Sequence, residues 1–401
     1  MLSTDVIVAG GGIAGLLIAT ALAPRYSVIL LEQSDSLPRN KYWLTDAQAA
    51  HDNPQIRGCV DRSYDFLDFV AFDGLTATIH GKYCIWDTDA LIESLSGQLL
   101  ANGARLLTGH RLYTFNCEKG RISVRANAKT IQAKLLIDCM GFGSPIVGAK
   151  DVATISGYYI VQGCEVVLTG EVRPIALDNV VLGRNPAFFE LFPTSKGTAH
   201  AAIILPSRSY KIDRSLQKEF SFIVTQSHYS EHICWKTGPD EKPYFGIVPV
   251  GRLHKPALDR IVFFGEAGQA NPAASATGFT RFLREYRRVA DGLTECLDAG
   301  QLDRKHLLGA LPPYMTRTNR AFQESLFDSI LSFDSDRFRL LVEELKKYPD
   351  QIVNDFLFAE YDFRSSKTLG IALDALLRRK SILGKNMLKT IAVLCRQRRL
   401  L

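Results

Sequence analysis

Asp5-Val6-Ile7-Val8-Ala9-Gly10-Gly11-Gly12-Ile13-Ala14-Gly15 is the stretch that decides the fold of this chain. Asp5 to Ala9 reads as a short buried strand, the glycines as a tight turn, and the apolar, alanine-rich run to about Ala23 as a helix. After a turn at Pro24-Arg25, Tyr26-Ser27-Val28-Ile29-Leu30-Leu31-Glu32 forms a second strand that ends in an acid. Strand, glycines, helix, strand and acid in this order predict a βαβ unit that binds a dinucleotide. Gly10 permits the turn, Gly12 lets the backbone approach a pyrophosphate, and Gly15 allows close packing of helix on strand. Exposed amide hydrogens and the positive end of the helix, at Ile13 and Ala14, then meet the phosphates. Glu32 lies 17 residues beyond Gly15, where its carboxylate accepts hydrogen bonds from an adenosine ribose and repels a 2′-phosphate; Gln33 shares that rim.

Outward from this unit, Leu37 to Val60 is polar and turn-rich and reads as a surface excursion. Asp87 or Asp89 caps a helix over Ala90 to Ala101, Ala104 to Leu107 reads as a strand, and Arg121 to Val124 pairs with Thr130 to Lys134 in a hairpin. Leu135 to Cys139 is a buried strand that runs into Met140-Gly141-Phe142-Gly143-Ser144. From Ala153 to Pro249, short β-branched and aromatic runs separated by glycine, proline and asparagine predict a strand-rich lobe. Arg260 to Phe264 returns to a buried strand, and helical periodicity follows over Gly278 to Leu297 and Asn319 to Lys347. The expected architecture is α/β: a Rossmann-like domain built from residues 1–80, 81–150 and 251–300, an inserted antiparallel-sheet domain over 151–250, and a helical C-terminal region over 301–401.

With 401 residues, 46% of them hydrophobic, the chain can build a large core. Its net charge of +6 is unevenly placed: from Ile371 to Leu401 eight basic residues face Asp374 alone, so the body is close to neutral. Ile382, Leu383, Met387, Leu388, Ile391 and Leu394 of this tail can form an apolar helix stripe flanked by basic side chains. Such a helix touches the anionic inner face of a membrane or packs on the body with a solvated charged face. No apolar run approaches bilayer length, and a strand that begins at Asp5 leaves no room for a leader, so a cytoplasmic protein is expected. Eight scattered cysteines lack metal-ligand spacing, so no metal site is expected. The absence of a recognised nucleic-acid module argues against that class of partner.

The first glycine motif does not by itself choose between FAD and NAD. Gly265-Glu266-Ala267-Gly268-Gln269-Ala270-Asn271-Pro272 resembles the second FAD motif of a flavoprotein superfamily of aromatic hydroxylases, geranylgeranyl reductases, halogenases and lycopene cyclases. That resemblance implies FAD as cofactor, with Glu266 on the flavin ribitol and the helix start after Asn271-Pro272, at Thr277-Gly278-Phe279, facing the flavin pyrimidine edge. Most relatives carry aspartate where this chain has Glu266. The strand and turn from Leu136 to Ser144, which includes Gly141, is similar to the version in halogenases, reductases and cyclases. Phe188-Phe189-Glu190-Leu191-Phe192-Pro193 is similar to the aromatic strand before the substrate pocket of reductases and cyclases. Asn40-Lys41-Tyr42-Trp43 fits the cyclase pattern at the flavin and substrate mouth. The fullest resemblance is to bacterial lycopene cyclases of the cyanobacterial and green-sulfur type.

One departure bears on chemistry. Many lycopene cyclases carry an acidic pair on the strand after this proline, whereas this chain has Ala199-His200-Ala201-Ala202-Ile203-Ile204. Protonating an alkene requires a positioned acid, which leaves Glu190, Glu165 or the reduced flavin as substitutes. Glu190 either serves as that acid or faces solvent, His200 is an acid or base or a structural histidine, and Trp43 is the third catalytic candidate. The halogenase tryptophan signature is absent. The expected function is therefore an FAD-dependent oxidoreductase, monooxygenase or reductase, acting on a hydrophobic small molecule of secondary or isoprenoid metabolism, with NADH or NADPH as candidate electron donor. The alternatives are a redox-neutral cyclase that uses reduced FAD and a non-catalytic flavin-containing binding or assembly protein.

Overall fold

A computed structural model describes residues 2–39, 41–118, 120–149, 151–236, 243–269, 271–311 and 317–358. Asn40, Ala270 and the basic tail from Ile371 lie outside them, and with the tail the expected membrane contact. The chain begins with β1 (Val6–Ala9), α1 (Ile13–Leu22) and β2 (Val28–Leu31), then runs through β3 (Val60–Val70), β4 (Thr76–Trp86) and α2 (Thr88–Ala101) to β5 (Leu135–Asp138). Next come β6 (Ala153–Leu168), β7 (Phe188–Pro193), β8 (Thr198–Ser207), β9 (Tyr244–Leu253) and β10 (Ile261–Phe263), followed by α3 (Gly278–Asp298) and α4 (Arg317–Ile330).

A six-stranded sheet has the order Ala257–Leu258, β10, β5, β1, β2, Arg105–Leu107. β1 pairs in parallel with β2 on one side and β5 on the other, in the registers Ala9 to Leu31 and Ala9 to Asp138. All four residues of β1, β2 and β5 are buried, as expected for parallel strands covered on both faces. The chain order reverses at β1, so the crevice beyond its C-terminal end is the place where doubly wound sheets bind ligands.

A nine-stranded sheet forms the second lobe, ordered Ile233–Trp235, β6, β8, β7, Ile175–Asp178, β3, β4, Leu44–Asp46, with β9 paired to β6. Here the structure corrects the expected partition. β3 and β4, in residues assigned to the nucleotide domain, belong to this sheet, because their alternating residues cover the same apolar layer as Phe188 and Phe192. The stretch from Leu37 to Val60 is likewise more than a surface excursion. Leu44–Asp46 pairs with β4, and Ala49, Ala50, Asn53 and Ile56 are buried. Asn53 donates to the Leu283 carbonyl of α3 at 3.0 Å, a tertiary bond that local polarity conceals.

Helix ends follow local chemistry. Asp87 caps α2, its carboxylate accepting the Ala90 amide at 3.0 Å. The helical periodicity over Asn319 to Lys347 divides into two helices, α4 and Ser335–Leu345, because Asp334 caps the second by accepting the Arg337 amide at 2.9 Å. The expected hairpin is present as Arg121–Ala126 with Lys129–Ala133, inside a four-stranded sheet with Leu112–Glu118 and Leu2–Ser3. Among the described residues no helix is long and apolar enough to cross a membrane.

Candidate functional site

A cavity of about 280 Å³ opens at the C-terminal ends of β1, β2 and β5, lined among others by Gly10, Gly12, Glu32, Gly141 and Glu266. The glycines there do different work. At Gly10 φ is +107°, and a β-carbon would stand 2.4 Å from the Cys139 carbonyl oxygen. At Gly15 it would stand 1.9 Å from the Gly10 carbonyl oxygen, so only glycine lets α1 close onto the turn. At Gly12, by contrast, a β-carbon meets nothing within 4 Å, because the backbone there faces open cavity. Ile13, Ala14 and Gln33 also line this space. Glu32 is 7% exposed and braces the cradle: Oε2 accepts the Gly11 amide at 2.8 Å and Oε1 the Ser34 amide at 2.9 Å. Its carboxylate is thus fixed at the cavity rim by two backbone donors.

The second motif is brought against the first by packing. Gly265 has φ +68°, and a β-carbon there would lie 2.5 Å from that of Ala14. Gly141, at φ +64°, leaves Glu266 Oε2 room 3.0 Å from where a β-carbon would project. The Glu266 carboxylate lines the cavity and accepts no hydrogen bond from a described residue. Burial pushes its carboxyl above the usual range, while Lys41 opposes the rise. Gly268 donates to the Gly265 carbonyl at 3.0 Å, and Pro272 accepts the Ala276 amide at 2.9 Å. Gly278 opens α3 under the Asn271 carboxamide, whose Oδ1 would be 1.8 Å from a β-carbon. Thr277 donates to the Leu357 carbonyl, and Phe279 packs against Trp43 with ring centroids 4.8 Å apart. Gln269 Oε1, Thr280 Oγ1 and Gln323 Nε2, which flank the 272–277 loop or bond to it, are buried without a hydrogen-bond partner. Open backbone at Gly12 and an unbonded carboxylate at Glu266, both on the cavity wall, fit a polar, phosphate-bearing dinucleotide.

The catalytic candidates separate. Trp43 lines the cavity beyond β1, whereas Glu190 of β7 and His200 of β8 stand on one face of the nine-stranded sheet, in the registers Glu190 to Ala202 and Phe192 to His200. Glu190 is half-buried rather than open to solvent. Tyr42 donates to its Oε2 at 2.7 Å, and desolvation pushes the carboxyl up to about 7, with the Tyr42 bond opposing. Tyr42 stacks on His200 at 5.1 Å and 13° and packs against Phe192 at 5.8 Å and Tyr244 at 6.0 Å. Burial lowers the pKa of His200 and keeps the ring neutral around pH 7. Gly163 makes the room: a β-carbon there would be 2.4 Å from the Tyr244 hydroxyl. Glu165, the other substitute, accepts Thr198 at 2.5 Å and Lys236 at 2.5 Å, and the Lys236 and Thr198 bonds outweigh burial to hold its carboxyl low. It is an ion-paired base, unsuited to donating a proton.

The segment 41–43 joins the two regions, with Lys41 and Trp43 on the cavity wall and Tyr42 on the acid. A family model described as lycopene cyclase protein matches residues 5–374. The chain belongs to the lycopene cyclase family. No curated protein matches this family member. Among solved structures it is similar to the halogenase PltM in complex with phloroglucinol and FAD, at 11% identity and TM-score 0.65 over 98% of this chain and 94% of that one. It is also similar to a geranylgeranyl bacteriochlorophyll reductase-like protein from Thermoplasma acidophilum, at 15% identity and TM-score 0.63 over all of both chains. A third is the anhydrotetracycline hydroxylase OxyS from Streptomyces rimosus, at 16% identity and TM-score 0.60 over 89% of this chain and 76% of that one. The fold of this family member is thus shared with these three structures, one of which holds FAD, and includes a Rossmann-like domain.

Proposed function

We propose that this chain binds FAD in the cavity beyond β1 and uses Glu190 as a protonated acid toward an apolar, unsaturated small molecule. The observation that carries this reading is Glu190 itself, a carboxyl held to about 7 among Tyr42, Phe192, His200 and Tyr244. It supplies the positioned acid that the strand Thr198–Ser207 lacks. The backbone of Gly10, Gly11 and Gly12 with the start of α1 would hold the pyrophosphate, Glu32 the adenosine ribose and Glu266 the ribitol. When bound, FAD supplies electron or hydride exchange or, in its reduced form, negative charge beside the substrate.

The residues of the chain then divide the work. Glu190 gives its proton to a substrate carbon and is left as a carboxylate that the Tyr42 hydroxyl stabilises at 2.7 Å. The faces of Tyr42, Phe192 and Tyr244 favour positive charge developing on the substrate and keep water away from it. Family membership favours a redox-neutral rearrangement. A reductase, drawing on NADH or NADPH, is the second reading, since it too needs a proton donor beside the flavin.

The test is incubation of the FAD-loaded, chemically reduced protein with polyprenyl candidates in deuterated water, without oxygen and then with it. An isomer of the substrate carrying one deuterium supports the redox-neutral reading, and a product with one double bond fewer that has gained two deuterium atoms supports the reductase. Incorporated oxygen would show a monooxygenase with no need of Glu190, and absence of turnover with every candidate would favour a binding protein.

A further inference from the structure

The loop between the second glycine motif and α3 is held from outside the nucleotide domain. Tyr159 of β6 reaches it with its hydroxyl 3.0 Å from the Ala273 carbonyl and 2.8 Å from that of Ala274. Gln323 of α4 accepts the Ala274 amide through Oε1 at 2.8 Å. Tyr159 is 7% exposed and Gln323 is fully buried. Phe327, one turn beyond Gln323, packs edge-on against the Tyr159 ring at 5.4 Å. Gly157 makes space for it, since a β-carbon there would be 2.4 Å from the Phe327 ring.

The loop does not hold this shape by its own preference. Ala276 sits at φ +54°, a left-handed conformation that disfavours a β-carbon. Within the loop its supports are the bond from its own amide to the Pro272 carbonyl and the bond from Gly278 to its carbonyl, both 2.9 Å. The contacts of Tyr159 and Gln323 come from two different places, a strand of the nine-stranded sheet and a helix that follows α3, and Thr277 at the end of the loop adds a bond to the Leu357 carbonyl. Tyr159 moreover stands on the same face of β6 as Gly163, over which the Tyr244 hydroxyl lies. One hydroxyl hydrogen serves two carbonyls, so a small shift of β6 transfers the bond from one to the other.

We propose that Tyr159 and Gln323 are positioning residues that set the Ala273–Ala276 loop against the flavin and tie the cofactor to the sheet that carries Glu190. The inference rests on the FAD reading above. Neither residue touches the reacting atoms; both act through the loop backbone. Tyr159 removes the freedom of two carbonyls, and Gln323 fixes the amide between them.

The experiment compares wild type with Tyr159→Phe, Gln323→Leu and Phe327→Leu, measuring FAD affinity by fluorescence quenching, the visible spectrum and the reduction potential of the bound flavin. Tyr159→Phe and Gln323→Leu are each expected to weaken FAD binding about 3- to 10-fold, the effect of one lost hydrogen bond, and to shift the spectrum and potential. Phe327→Leu changes packing alone and is expected to lower Tm with spectrum and potential unmoved. A folded Tyr159→Phe protein with wild-type spectrum, potential and affinity overturns the proposal, as does a shift of the same size in Phe327→Leu. Should Tyr159→Phe not fold, Gln323→Leu decides by the same readouts. Wild-type protein that takes up no FAD sinks the cofactor reading and this inference with it.

Discussion

Glu190 illustrates how environment, at the scale of one residue, lets a common side chain keep the proton that the proposed reaction needs. In water its carboxyl would be ionised near neutrality; burial in an aromatic layer pushes it up to about 7, so much of it carries its proton at physiological pH. Because the protonated form is the donor, turnover is expected to hold at acidic pH and to fall by about tenfold per unit above roughly pH 7. Tyr42 stabilises the anion, so Tyr42→Phe raises the carboxyl further and moves the falling limb of the pH–rate profile to higher pH. Glu190→Gln is expected to lower turnover on the order of 10²- to 10⁴-fold without releasing FAD. A rate profile flat from pH 6 to 9 in wild type would exclude Glu190 as the donor. Gly12 offers a second contrast. Its φ of −70° suits any residue and its β-carbon would face the cavity, so Gly12→Val should fold with wild-type Tm yet lose FAD binding in a titration. Gly10→Ala meets the Cys139 carbonyl at 2.4 Å with φ +107°, and should fail to give soluble folded protein.

Single elements show where local chemistry crosses between the lobes. Asp87 caps α2 and also pairs with Lys196 at 2.8 Å, on the turn between β7 and β8. Lys196 holds its carboxyl below the usual range, helped by the Ala90 amide. Loss of the cap costs about 1 kcal/mol and the half-exposed ion pair adds about 0–1 kcal/mol, so Asp87→Ala should destabilise by about 1–2 kcal/mol in denaturant unfolding. The depressed pKa means that this contribution is present above the unfolded carboxyl pKa and disappears as pH falls through the folded one; wild type and Asp87→Ala should converge in strong acid. A cap at Asp87 or Asp89 was legible because the residues that follow are helical in pattern, and the structure selects Asp87. Its partner was not, since Lys196 lies 109 positions away.

For the whole molecule, the six-stranded sheet carries the nucleotide cavity and the nine-stranded sheet the acid, and residues 41–43 pass between them. A ligand that binds only the folded chain raises its stability by mass action, about 2.7 kcal/mol at a hundred times Kd. FAD should therefore raise Tm in a concentration-dependent way while NAD leaves it unchanged, and equal shifts with both would contradict the FAD assignment. The first glycine turn, the strand ends and the acid Glu32 were readable from the chain because they follow one another within about thirty residues, and the positive φ at Gly10 and the Gly10 carbonyl against Gly15 select glycine there. Tertiary structure decided the rest. It placed β3 and β4 in the nine-stranded sheet, turned Glu190 toward Tyr42, and brought the two together across 148 positions. A carboxyl on an alternating strand has two faces open to it, and its proton affinity depends on which groups a distant segment packs over it. That choice belongs to the assembled core, where burial and long-range contacts are settled together.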